Sequence, residues 1–242
     1  LGLLCHYEGK YSNTALAADY LVQGKKYYQG ESILWRKYLS TGWRQLADCL
    51  KAGGRISYVD DADSLELMQR IRKYIRAMDN VARAKVQEMI PIFAGLFDEG
   101  EILELGAGSG AITAGFFEHF PNMKGILVDL QQVIPVTKEM IKERGLIERV
   151  QFQEANILED WKLPPKQFAL VILSNIVHAY SEREISQVLS KAAKVLKPDG
   201  YLLIHDFFLE HSPDKAALFD LNMFINTYNG RTFPSGWVVE QL

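Results

Sequence analysis

The chain has 242 residues, 48% of them hydrophobic, which is enough for one large domain or two small ones. A formal net charge of −3 with both signs interspersed gives no electrostatic footprint for nucleic acid, and no apolar run approaches the length of a bilayer span. No charged-then-apolar leader opens the chain; Cys5 and Cys49 have neither metal-ligand spacing nor a disulfide framework, so both read as reduced, structural thiols of a cytoplasmic protein.

The first 23 residues are mixed, and Tyr11-Ser12-Asn13-Thr14 reads as a turn capping a helix over 15–22. Residues 32–50 carry Ile33, Leu34, Trp35, Tyr38, Leu39, Trp43, Leu46, Ala47 and Leu50 at steps close to three and four, which predicts a helix ended by Gly53-Gly54. A longer helix is expected over 64–90. Ser64 caps it beside Asp63, Leu67, Ile71, Ile75, Met78 and Ala82 form its apolar stripe, and Pro91 follows. The pattern changes near residue 98. From there strands are expected at 101–105, 125–129, 150–154, 168–173 and 201–206, and helices at 111–120, 131–144, 182–196 and 214–228. Lys197-Pro198-Asp199-Gly200 reads as a turn between helix and strand. Strands apolar on both faces and separated by helices imply a parallel, doubly wound sheet. Ligands of such sheets bind outside the carboxyl ends of the strands.

Glu104-Leu105-Gly106-Ala107-Gly108-Ser109-Gly110 follows the apolar Ile102-Leu103. A buried strand here breaks into a glycine turn and opens a helix whose first N–H groups are unpaired. Glycine reaches backbone angles that a Cβ forbids and lets a ligand lie against bare main chain. The dinucleotide fingerprint G-x-G-x-x-G holds a pyrophosphate on the helix end. Here the glycines alternate and an acid stands two residues before the first, a placement that suits an ammonium group better than a pyrophosphate. The competing reading is a tight turn with no ligand. Gly125-Ile126-Leu127-Val128-Asp129 comes about 20 residues later. Its acid can accept both hydroxyls of a ribose or cap the next helix.

Glu104 with G-x-G-x-G resembles the first motif of the Rossmann-like S-adenosylmethionine-dependent methyltransferases. Further stretches are Val128-Asp129-Leu130 with Val133-Ile134, Ile176-Val177-His178-Ala179-Tyr180-Ser181-Glu182, and Leu196-Lys197-Pro198-Asp199-Gly200. With these the chain resembles the small-molecule O-methyltransferases of the caffeate, hydroxyindole and bacterial polyketide type. In that family a winged-helix dimerisation domain precedes the catalytic one. Tyr11-Ser12-Asn13-Thr14, Ala17 and Tyr20-Leu21-Val22 match the end of the winged-helix unit. The resemblance implies an α/β fold: a class I methyltransferase parallel sheet over 97–242, preceded by a mostly helical, partial winged-helix dimerisation region over 1–96. The chain reads as a fragment, with the start of the first unit and the last strands of the second beyond its ends.

The resemblance also implies the site. S-adenosylmethionine, leaving as S-adenosylhomocysteine, falls to Glu104, Gly106, Gly108, Gly110, Asp129, Leu130, Asn156, Ile157, Ser174 and Asn175. Asn156 stands where the family places an Asp for the adenine amino group, and its carbonyl oxygen can still accept. His178 opens the counterpart of a His-Asp-Trp-Ser motif whose histidine takes the acceptor's proton; here Ala179-Tyr180 replace the Asp-Trp pair. Asp206 matches the carboxylate that orients that histidine and fixes its tautomer. The alternatives are a backbone-bonded histidine and a helix-capping Asp. Arg231-Thr232 stand where a second carboxylate is expected, and His205 reads as structural. Met78, in Tyr74-Ile75-Arg76-Ala77-Met78, and Asn222, Met223 and Asn226 resemble substrate-lining positions. No metal is expected. The expected partners are a small aromatic acceptor and a second copy of the chain, with no nucleic acid and no membrane. Transfer to nitrogen, sulfur or carbon is the runner-up, and a non-catalytic cofactor-binding homologue is the alternative from another class.

Overall fold

The computed structural model describes residues 1–56, 64–96, 99–165 and 167–242. The chain opens on a hairpin, β1 (Leu4–Tyr7) and β2 (Lys10–Asn13), paired antiparallel from Leu4↔Asn13 to Tyr7↔Lys10. The expected turn at Tyr11-Ser12-Asn13 is therefore strand. Every residue of the hairpin is exposed, so no apolar alternation marked it. Thr14 does cap α1 (Ala15–Leu21), accepting the Ala17 N–H at 3.3 Å. Cys5 lies exposed on the hairpin, against the expectation of a structural thiol, whereas Cys49 is buried.

The helix expected over 32–50 is two, α2 (Gly30–Trp43) and α3 (Leu46–Ala52). The Arg44 and Gln45 N–H groups donate to the Thr41 and Gly42 carbonyls, so the turn tightens to three-residue bonds. The break falls where a later helix packs in: a Cβ at Gly42 would lie 3.5 Å from Asn226 Oδ1. α4 (Ser64–Phe93) runs through Pro91 instead of stopping before it. Phe93 is buried against Phe116, ring centroids 5.4 Å apart, and that burial offsets the hydrogen bond that Pro91 cannot make. Asp63 and the Ser64 side chain, expected to cap α4, lie outside the described residues, as does the expected boundary at 97–98.

β3 (Glu99–Leu105), β4 (Asn122–Asp129), β5 (Val150–Glu154), β6 (Phe168–Ser174) and β7 (Leu196–His205) form one parallel sheet in the order β5-β4-β3-β6-β7. α5 (Ala111–His119), α6 (Ile134–Glu143) and α7 (Glu182–Val195) make the crossovers, and α8 (Pro213–Asn226) and α9 (Ser235–Glu240) follow β7. The strand order reverses between β3 and β6, so the glycine turn at the end of β3 sits at the switch point where such sheets bind ligands. α4 and α5 cover one face through Val86, Phe93, Phe116 and Phe117, packed with Ile102 and Leu170. α7 covers the other through Ile185, Val188 and Leu189, packed with Leu103 and Val171.

Two boundaries differ for local reasons. Lys197-Pro198-Asp199-Gly200 lies within β7 as an irregularity between the pairs Phe168↔Leu196 and Leu170↔Tyr201, with Asp199 at φ 61°. α6 starts at Ile134 and not at 131, because Val133 and Ile134 first turn onto the Leu130 carbonyl and Pro135 then sets the first helical turn. Among the described residues no helix is long and apolar enough to cross a membrane, and no cluster of His, Cys, Asp and Glu could hold a metal ion.

Candidate active site

The glycine turn is built on left-handed backbone: φ is 67° at Gly106, 55° at Gly108 and 69° at Gly110. A Cβ at Gly106 would fall 2.1 Å from Ile176 Cδ1, so the position excludes a side chain on space as well as on angle. Side chains then fix the turn's backbone. Asp129 Oδ2 accepts the Gly108 N–H at 2.7 Å, Asp129 Oδ1 accepts the Leu130 N–H at 2.7 Å, and Thr137 Oγ1 donates to the Gly108 carbonyl at 2.6 Å. Burial pushes the Asp129 carboxyl above its ordinary value, and the two backbone donors pull it back. Glu104 points into the sheet toward α5, 3% exposed, with its Oε2 accepting the Thr113 N–H at 3.1 Å. Burial pushes this carboxyl up to about 7, against the pull of the Thr113 hydrogen bonds and of the more distant Arg144 charge.

The other expected cofactor positions divide. Leu130 is exposed at the end of β4. Asn156 turns its Oδ1 onto the Leu158 N–H at 3.0 Å. Ile157 is buried in the core with α7, so its side chain is not at the opening. Ser174 Oγ meets His205 Nδ1 at 3.1 Å, and Asn175 takes φ 56° while donating its N–H to the His205 carbonyl at 2.8 Å. A non-glycine residue in that region is strained and needs surrounding structure to hold it. Burial lowers the His205 pKa, which suits a neutral, structural imidazole.

β6 and β7 are neighbours, and their ends bring together His178 and Asp206, 28 residues apart. Asp206 Oδ1 is 2.5 Å from His178 Nδ1, its Oδ2 accepts the His178 N–H at 3.3 Å, and its side chain is 1% exposed against 11% for His178. A carboxylate at Nδ1 demands the proton there, which leaves the Nε2 lone pair as the acceptor. Phe219 stands edge-to-face with the imidazole at 4.8 Å and stacks on Phe207 at 3.9 Å. Gly230 lets the chain after α8 close on the same turn, since a Cβ there would fall 2.5 Å from the His178 carbonyl oxygen. Arg231 pairs with Glu182 at 3.3 Å on the surface.

α4 and α8 flank this ground. Ile75 Cδ1 is 3.7 Å from where a Cβ of Gly108 would stand, so α4 crosses directly above the turn. Tyr74 is 41% exposed, yet loss of solvent pushes its hydroxyl up to about 12, with Asp129, Tyr180 and Asp206 adding to the rise. Both facts hold if its free surface faces a cleft between the glycine turn and His178. Met78, partly buried, is one turn further along the same helix face. On α8, Met223 is buried, and Asn226 Nδ2 donates to Asn222 O at 3.0 Å and to its Oδ1 at 2.9 Å. Asn226 thus spends its amide within α8 and lies against α2. A separate polar cavity of about 610 Å³ opens between the α1–α2 connection, α4, α5 and α6, and none of the expected site residues lines it.

A family model described as the O-methyltransferase domain matches residues 43–233. The chain belongs to the O-methyltransferase family. Similar proteins include the 3-hydroxy-5-methyl-1-naphthoate 3-O-methyltransferase of Streptomyces sahachiroi, 28% identical over 96% of this chain and 68% of the relative. Acetylserotonin O-methyltransferase of Bos taurus is 26% identical over 93% of this chain and 67% of the relative. Human N-acetylserotonin methyltransferase, solved in complex with SAM, superposes with a TM-score of 0.81 at 23% identity, covering 99% of this chain and 73% of that one. An O-methyltransferase family protein from Burkholderia thailandensis gives 0.80 at 24% identity, with 99% and 73% covered. At such identities the superpositions show the shared Rossmann-like fold.

Three features of the candidate site have no role assigned to them by the sequence. Tyr74 lies in the same stretch as Met78, and the four-residue step between them is the signal that both share one face. Tyr180 reads from the sequence only as a replacement for the family's Trp, yet it lies close enough to Asp129 for that charge to raise its pKa behind the larger effect of burial. Thr137 carried no signal, because a Thr in mid-helix is ordinary.

Proposed function

We propose that this O-methyltransferase methylates a hydroxyl of a small aromatic acceptor, with S-adenosylmethionine held at the glycine turn and His178 as the base. The His178–Asp206 pair at 2.5 Å, with Nε2 left free, is the observation that carries this reading. The residues fit the cofactor. Three glycines leave bare main chain, Asp129 offers second lone pairs to a ribose, and Leu130 offers apolar surface at the strand end. Asn156, Ser174 and Asn175 supply polar groups at neighbouring strand ends, and Ile157 acts only through its packing.

When bound, the cofactor supplies an electrophilic methyl on a sulfonium. His178 Nε2 receives the acceptor's hydroxyl proton as the oxygen becomes nucleophilic, and Asp206 holds the ring and offsets the charge that forms on it. Tyr74, Met78, Met223, Phe207 and Phe219 surround the acceptor and exclude water, while Asn222 and Asn226 set the packing of α8. Most of the rate then comes from alignment of acceptor oxygen and methyl.

Residues 1–96 act as a partial winged-helix region that covers the cleft and joins two copies, and 97–242 act as the catalytic domain. Exposed Leu16, Ile33, Leu34 and Tyr38 support the pairing surface. We place this enzyme in the cytoplasm without a membrane partner, and its interspersed charge of both signs argues against a nucleic-acid partner. Incubation with methyl-labelled S-adenosylmethionine and a panel of naphthols, hydroxyindoles and flavonols should yield labelled methyl ethers. Label on nitrogen, sulfur or carbon alone contradicts the reading, and a monomer in light scattering at micromolar concentration contradicts the pairing.

A further inference from the structure

Asp79 sits on the buried face of α4, its side chain 7% exposed, and forms an ion pair with Arg144, whose side chain is 21% exposed. Arg144 closes α6. Gly145, at φ 70°, stops the helix, and the Leu146 N–H returns to the Ile141 carbonyl at 3.2 Å, so the chain leaves with the guanidinium turned back. While Nη2 meets Asp79, Nη1 donates to the Met140 carbonyl at 3.1 Å and to the Ser109 carbonyl at 3.4 Å. Ser109 lies in the glycine turn. Three side chains therefore fix that turn's backbone: Asp129 at the Gly108 N–H, Thr137 at the Gly108 carbonyl and Arg144 at the Ser109 carbonyl. Only the third is itself anchored in α4.

We infer that Asp79 and Arg144 form a positioning strut through which α4, from the N-terminal region, sets the glycine turn and thereby the affinity for the cofactor. The inference rests on the cofactor site proposed above. Packing alone does not account for the pair. Two apolar side chains of similar volume would fill the space without desolvating two charges, but they would not donate to the Ser109 carbonyl. The charge of Arg144 also reaches Glu104 under the turn, where it opposes the rise that burial causes. Docking of α4 and binding at the turn thus share one side chain, which is the physical requirement for coupling between them.

The test is isothermal titration of S-adenosylhomocysteine into wild type, Asp79→Asn and the double variant Asp79→Leu/Arg144→Met, with thermal unfolding of each. Asp79→Asn should weaken binding by about tenfold and raise the KM for S-adenosylmethionine, leaving kcat at saturating cofactor unchanged. The double variant should recover the melting temperature without recovering affinity. If affinity returns along with stability in the double variant, or if both variants bind as wild type does, the pair only packs and the inference is overturned. A wild type that fails to bind S-adenosylhomocysteine overturns the cofactor reading and the strut together, whereas normal binding with unaltered variants overturns the strut alone.

Discussion

Glu104 lets a stability measurement read the electrostatics beneath the glycine turn. Its carboxyl is 3% exposed and bonded to the Thr113 N–H, and burial moves it from an ordinary 4.5 up to about 7. Between those values the folded chain keeps a proton that the unfolded chain has released. Stability therefore falls as pH rises through this window, and the loss is complete once pH passes about 7. At about 1.4 kcal/mol per pH unit, the ionised carboxylate costs on the order of 3 kcal/mol at pH 8. Glu104→Gln keeps an oxygen for the Thr113 N–H and removes the charge. Urea unfolding of both proteins at pH 5 and pH 8, followed by circular dichroism, isolates this one group as the difference between them. The variant should match wild type within about 1 kcal/mol at pH 5 and exceed it by about 2–3 kcal/mol at pH 8. Parallel pH profiles would refute the reasoning. Repeating the unfolding with saturating S-adenosylhomocysteine separates the two roles of this acid. An ammonium group against the carboxylate would erase the difference at pH 8, whereas a carboxylate that only caps α5 would leave it in place.

His178→Ala should lower kcat by about 10²–10⁴-fold on a hydroxyl acceptor while cofactor affinity, measured by titration, stays as in wild type; an unaltered kcat would make His178 a pocket wall. Asp206→Asn should cost a comparable factor, because an Asn amide can donate to Nδ1 and move the ring's proton to Nε2; a variant near wild-type kcat would show that the tautomer is set elsewhere. Gly106→Ala should destabilise the fold by about 1–3 kcal/mol in urea unfolding, since it adds backbone strain at φ 67° to a 2.1 Å contact with Ile176. Adding Ile176→Ala relieves the contact and not the strain, so full recovery in the double variant would place the whole cost in the contact.

Local features of the site were legible in the sequence, because strand, glycine turn and helix follow one another directly between Glu99 and His119 and the acid of β4 lies one crossover later. The parallel sheet was legible for the same reason: each buried strand is bounded by turn residues and followed by a helix. The His178–Asp206 pair was available only through resemblance, since adjacency of β6 and β7 brings the two together and no spacing encodes it. The Asp79–Arg144 pair joins residues 65 apart on separate helices and left no periodic mark. Where the reading of elements differed, tertiary packing decided. The hairpin of β1 and β2 has no buried face to read, α2 and α3 part where α8 packs against Gly42, and α4 passes Pro91 because Phe93 is buried beyond it. Tyr74 carries little signal because an aromatic residue on a long amphipathic helix looks like core, and its nearness to Asp129 and Asp206 depends on how α4 packs.

The central claim is that the glycine turn with Asp129 holds an S-adenosyl cofactor. Its most direct test is the titration of S-adenosylhomocysteine into wild type and Asp129→Ala under identical conditions. Asp129 serves both the Gly108 N–H and, in this account, the ribose, so the variant leaves hydroxyls without an acceptor. Saturable binding to wild type, weakened by about 1–3 kcal/mol in the variant, is the predicted result. Equal affinity in the two proteins, or binding of a nicotinamide dinucleotide with none of S-adenosylhomocysteine, would contradict it.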